Sequence, residues 1–235
     1  MTHLDKESLQ LKSDLVGMWN LVVSQLNKSY EALTVFDKDL AHEVVANEKR
    51  VNGHELKIDR DCENLFALFN PVAVDLRFTL AVLKINGNLE RAGDMADGIG
   101  RVILNSKAPF DDELLRVTQV LYMFEEATSM LVDILKAFEH ENTKMARSIF
   151  KRDEILNQIN HSSIQVVAEY IRKHPENVEQ GLYILSVIRK LERVGDHCKN
   201  IAEEIIFYIE AKVLKHSGKK RKLDTGNEED FDSKS

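Results

Sequence analysis

The sequence predicts an all-α fold: six long antiparallel helices arranged as two pseudo-symmetric three-helix bundles. Three observations carry that reading. Only three prolines and ten glycines interrupt 235 residues, too few punctuators for a many-stranded sheet. Apolar residues recur at three- and four-residue steps, and no run alternates Val, Ile and Thr as a strand would. The phrase Leu191-Glu192-Arg193-Val194-Gly195-Asp196 also repeats Leu89-Glu90-Arg91-Ala92-Gly93-Asp94, 102 residues earlier, with five of six positions identical. A duplication of this kind divides the chain into similar halves, residues 8–108 and 109–214, followed by a tail, 215–235.

The helices follow in order. Residues 8–36 carry Leu11, Leu15, Met18, Leu21, Val22, Leu26 and Leu33 at helical spacing. Asp37-Lys38-Asp39 breaks that pattern and offers an N-cap. A second helix spans 40–69, with Val44, Val51, Ile58, Leu65 and Leu68 inward and Gly53 weakening it by about 1 kcal/mol. Asn70 before Pro71 suits an N-cap with proline at the first helical position, so the third helix is expected over 71–104. Lys107-Ala108-Pro109 closes the first half. Asp111 or Asp112 caps a fourth helix ending near His140, Asn142-Thr143 starts a fifth that stops before Pro175, and Pro175-Glu176-Asn177 opens a sixth running to Leu214. A 30-residue helix is about 45 Å long, and short turns between such helices imply antiparallel neighbours.

Composition excludes several classes. A net charge of −7 argues against general nucleic-acid binding. No apolar run approaches the ~18 residues of a membrane span. The opening Met1-Thr2-His3-Leu4-Asp5-Lys6 lacks the basic and apolar regions of a signal peptide. Cys62 and Cys198 match no disulfide framework or metal spacing and are expected to stay reduced inside a cell. The tail places Lys219-Lys220-Arg221-Lys222 before Glu228-Glu229-Asp230 with no periodic apolar residue, the composition of a solvated, disordered segment.

The repeated phrase carries the functional signal. Glu90 and Asp94, like Glu192 and Asp196, lie four residues apart and project about 40° from each other on a helix. On the sixth helix Ile184, Ile188, Leu191, Gly195, Cys198, Ala202 and Ile205 form one apolar arc, and the two acids fall at its margin. Val82, Leu89, Gly93, Ala96 and Gly100 place Glu90 and Asp94 in the same way on the third. Partly buried like charges are costly unless paired, protonated or bound to a cation. A mid-helix glycine costs about 1 kcal/mol, yet both halves put one directly before the Asp, where a missing side chain admits a close neighbour.

The facing groups are expected from the preceding helix: Glu48 and Asn52 in the first half, Asp153 and Asn157 in the second. Asn200, four residues beyond Asp196, is a further candidate, and His197 a weaker one. This all-oxygen set suits Mg²⁺, Mn²⁺ or iron. A ferritin-like di-iron centre would need Glu-x-x-His motifs, which are missing at these positions. The competing reading is salt bridging by Arg77, Lys84, Arg91, Arg189 and Arg193. Asp75 and Arg77 are expected to pair at the start of the third helix, and Cys198, Trp19, Phe66 and Phe69 to be core.

These residues resemble the PhoU family. The two Leu-Glu-Arg-x-Gly-Asp copies are similar to its paired signature. Pro71-Val72-Ala73-Val74-Asp75-Leu76-Arg77 is similar to its helix-three opening, and Gly195-Asp196-His197 followed by Asn200-Ile201-Ala202-Glu203 to its second continuation. The resemblance spans residues 8–212 and implies two three-helix repeats with a metal-binding acid motif in each. Carried over, the metal ligands are Glu48, Asn52, Glu90 and Asp94, and Asp153, Asn157, Glu192 and Asp196, with iron, Mn, Mg or Zn as the ion. Asparagine at 52 and 157, where the family often has Asp, and Asp97-Gly98-Ile99-Gly100 downstream of the first copy both depart from the pattern.

The resemblance further implies a cytoplasmic, non-enzymatic negative regulator of the phosphate-starvation response. It would be a homodimer linking a phosphate ABC transporter, through its ATPase subunit, to a sensor histidine kinase, and meeting the membrane only through those partners. Two alternatives stay open: a metal-free helical accessory protein of a phosphate permease, and a carboxylate di-metal enzyme, which would also need an open coordination position and a nucleophile or histidine nearby.

Overall fold

Short polar side chains start most of the helices. Asp37 accepts from the Leu40 N–H, Asp111 from Leu114 and Asn142 from Met145, so each supplies an acceptor for an otherwise orphaned helical N–H. Thr2 and Asp5 make a reciprocal capping box at the first helix. The computed structural model describes residues 2–214; the expected tail lies outside the described residues. Its helices are α1 (His3–Val35), α2 (Lys38–Phe69), α3 (Ala73–Asn105), α4 (Asp112–Thr118), α5 (Val120–Glu139), α6 (Thr143–Lys173) and α7 (Val178–Glu210), with a 3₁₀ turn at Pro175–Asn177. No strand occurs among the described residues.

The first repeat packs α1, α2 and α3 on one another. The second packs α5, α6 and α7, with α4 closing one end. The repeats meet mainly along α3 and α7, with α1 also against α5. Every residue of the two predicted apolar arcs on α3 and α7 is buried. The inter-repeat core is aromatic: Trp19, Phe78 and Tyr208 surround Phe138 at centroid distances of 5.9 to 6.4 Å. The Trp19 indole also donates to the Leu131 carbonyl at 3.0 Å. Cys62 and Cys198 are free and buried, and burial pushes the Cys62 thiol up to about 12.

The expected fourth helix is two helices, so among the described residues seven α-helices replace six. Gln119 adopts a left-handed conformation (φ 56°, ψ 24°) and ends α4. The Thr118 hydroxyl donates back to the Leu114 and Leu115 carbonyls, at 2.7 and 3.3 Å, and satisfies the broken end. Asn70 is the left-handed C-cap of α2, not the N-cap of α3, so α3 starts at Ala73 behind Val72. Asparagine tolerates that backbone conformation, so here the residue marks an ending and not a beginning. α7 stops at Glu210, where Ala211 turns left-handed. Leu68, expected inward, is 71% exposed. Asp75 and Arg77 do not pair among the described residues; Arg77 Nε donates to the Tyr208 carbonyl instead, at 3.4 Å.

Candidate metal centre

The first cluster is built by three helices. Glu48 reaches it from α2, Glu90 and Asp94 from one side of α3, and Gln25 from α1. Glu48, Glu90 and Asp94 each present a carboxylate oxygen within 4.8 Å of the others. Gly93 makes the approach possible. A Cβ there would lie 3.2 Å from Val51 Cγ1, 3.4 Å from Gln25 Oε1 and 3.5 Å from Glu48 Oε2.

The oxygens facing this cradle are unsatisfied. Both Glu48 carboxylate oxygens and Gln25 Oε1 are buried without a hydrogen-bond partner. The Gln25 amide Nε2 is spent on the Val44 carbonyl, at 3.2 Å, which holds the side chain in place. Burial first, then the charge of Asp94, lifts the Glu48 carboxyl to about 7. Glu90 is raised by burial and then by Asp94 and Glu55, against Arg91. Glu55, one turn beyond the predicted Asn52, is raised by burial, Asp59 and Asp94.

The buried, unpartnered Glu48 oxygens, set beside half-buried Glu90 and exposed Asp94, cost free energy that a cation would recover. The donor set is all oxygen and fits a hard divalent or trivalent ion. Among the described residues no lysine or arginine makes an ion pair with Glu48, Glu90 or Asp94; the neighbouring Arg101 is turned to Asp97, with bonds of 2.7 and 3.0 Å. Asn52 is exposed on α2.

The second cluster has the same scaffold and a different filling. Asp153 and Asn157 come from α6, Glu192 and Asp196 from α7. Asp153 is 1% exposed, and its Oδ2 accepts from Lys199 Nζ at 3.0 Å and from Asn157 Nδ2 at 3.2 Å. Its Oδ1 has no partner. Burial raises the Asp153 carboxyl, and the Lys199 bond and charge pull it back. Glu192 is raised by burial, then by Asp196 and Asp153. A Cβ on Gly195 would meet Leu156 Cδ1 at 2.6 Å and Asp153 Oδ1 at 3.2 Å.

Asn200 lies elsewhere. Its amide donates to Asn88 Oδ1 across the α3–α7 seam at 3.2 Å, and His197 Nδ1 lies 3.1 Å from the same oxygen. Burial, then Arg193 and Arg91, pushes the His197 imidazole down to about 4, so it is neutral near pH 7. Gln25, Glu55 and Lys199 are the site residues that sequence reasoning misses. A glutamine within the apolar stripe of the first helix is the available signal for Gln25.

Fold and site together define a duplicated helical protein with an acid cluster at the same place in each repeat. The chain belongs to the PhoU family: the model of the PhoU domain matches residues 15–103 and 120–205. It is 30% identical over 216 residues to the phosphate-specific transport system accessory protein PhoU of Escherichia coli K12, covering 92% of this chain and 89% of that one. It is 29% identical over 214 residues to PhoU homolog 1 of Thermotoga maritima, covering 91% of each chain. The crystal structure of PhoU from Pseudomonas aeruginosa superposes with a TM-score of 0.82 at 27% identity, over 89% of this chain and all of that one. Members of the family are regulatory accessory proteins rather than enzymes.

Proposed function

We propose that the chain is an accessory regulator of a phosphate-specific transport system whose first repeat holds a metal ion between Glu48, Glu90 and Asp94. One observation carries the metal reading: the buried Glu48 carboxylate has no partner and faces two further acids across a glycine cradle. The transport role rests on the relatives, which are named as accessory proteins of that system. The resemblance extends the proposal to a cytoplasmic, homodimeric negative regulator that links the transporter's ATPase subunit to a sensor histidine kinase.

The ion would supply the positive charge that the cluster lacks. It would clamp α2 to α3 and hold rigid the face those helices present to a partner. At a free metal concentration 100 times the dissociation constant, such a clamp stabilises the fold by about 2.7 kcal/mol.

The test combines metal analysis with a cellular readout. Purified protein should carry metal that the Glu48→Gln/Asp94→Asn variant lacks. A strain carrying that variant should express its phosphate-starvation genes in phosphate-rich medium. Repression equal to wild type, with a melting temperature indifferent to chelator, would overturn the proposal.

A further inference from the structure

The two acid clusters are equivalent by repeat and unequal in charge. Lys199 stands 102 positions after Asp97. In the first repeat that position is an acid, bonded to Arg101 and only 14% exposed, whose charge adds to the repulsion on Glu48. In the second it is a cation turned inward, with its ammonium 3.0 Å from the buried Asp153. The Lys199 side chain is 39% exposed, so its stem reaches in from the surface while its head replaces the solvation that Asp153 has lost.

The walls differ as well. A Cβ on Gly93 would meet Val51 Cγ1 and two oxygens, all at 3.2 Å or more, whereas at Gly195 Leu156 Cδ1 crowds in to 2.6 Å ahead of a single oxygen, Asp153 Oδ1 at 3.2 Å. Only the first-repeat acids bring three carboxylate oxygens within 4.8 Å of one another among the described residues.

We propose that the Lys199 ammonium is the resident cation of the second acid cluster, so that this chain takes a metal ion at the first cluster alone. A metal entering the second would have to break the Lys199–Asp153 bond and find room against Leu156. The residues there do not fit an additional ion while Lys199 is in place. The contrast between the clusters rests on the metal reading proposed above; the behaviour of Lys199 is tested independently of it.

The probe is Mn²⁺. Uptake by the full chain is measured by elemental analysis after gel filtration, for wild type, Lys199→Gln, Lys199→Ala, Asp153→Asn/Glu192→Gln and Glu48→Gln/Asp94→Asn. With the second cluster freed, uptake about doubles in both Lys199 variants. In Asp153→Asn/Glu192→Gln it equals wild type. A fall in that variant, or no gain in folded Lys199 variants, overturns the inference. The Asp153→Asn/Glu192→Gln comparison needs no Lys199 variant: a fall in its Mn²⁺ uptake overturns the inference even if the Lys199 variants do not fold. Undiminished uptake in Glu48→Gln/Asp94→Asn overturns the first-cluster reading instead, and the gain in the Lys199 variants still decides the role of Lys199.

Discussion

Trp19 on α1 donates its indole N–H to the carbonyl of Leu131 on α5, a buried bond of 3.0 Å between residues of different repeats. The ring is fully buried and lies 5.9 Å from Phe138. Trp19→Phe keeps an aromatic body and loses the donor, so it should destabilise by about 1–2 kcal/mol. Trp19→Ala also leaves a cavity and should cost about 3–5 kcal/mol. Denaturant unfolding checks both. Equal losses for the two variants would show that the ring packs loosely.

The glycines separate into two kinds. Gly53 and Gly87 have nothing within 4 Å of where a Cβ would stand. Alanine there should stabilise by up to about 1 kcal/mol through helix propensity. Gly195→Ala meets the fully buried Leu156 at 2.6 Å and should destabilise despite the same propensity gain. Thermal melting of the three single variants measures the difference in sign.

His197 carries a pH signature. Its folded-state pKa of about 4 lies below the ordinary 6.5. Between those values the unfolded chain binds a proton that the folded chain does not, so stability falls as pH drops from 6.5 towards 4. His197→Gln should flatten that part of the stability–pH curve. An NMR titration should also find the wild-type ring still neutral at pH 5. A ring already protonated at pH 6 would contradict the burial argument.

Glu48 makes opposite demands on the metal-free and metal-loaded protein. Without metal, Glu48→Gln removes a buried, unpartnered carboxylate beside Asp94 and should raise the melting temperature. With Mn²⁺ present, wild type should gain stability and the variant should not. Calorimetry with chelator and with metal gives both comparisons, and a variant that melts lower in chelator would remove the case for stored repulsion.

Much of the fold and of both clusters is legible in the amino-acid order. The doubled six-residue phrase places Glu90, Asp94, Glu192 and Asp196 at the margins of apolar arcs, and helical geometry alone puts them there. Glu48 and Asp153 follow because hairpin spans of similar length face equivalent turns. What stays hidden depends on tertiary packing or on flexible side chains. The break at Gln119 carries no glycine or proline and rests on a hydroxyl turning back to carbonyls. Lys199 sits three residues past Asp196 on a helix rich in charge, and only packing shows that its long stem bends towards Asp153 and not towards solvent. Asn200 has favourable spacing, but the seam with α3 offers it Asn88.

The aromatic knot around Phe138 has a consequence for the connector between the repeats. Trp19, Phe78, Phe138 and Tyr208 come from α1, α3, α5 and α7, two from each side of that connector. Lys107, Ala108 and Pro109 are exposed on the stretch that joins them. A protease nick there would sever the backbone without releasing either piece: the fragments would separate on a denaturing gel and travel together through a sizing column.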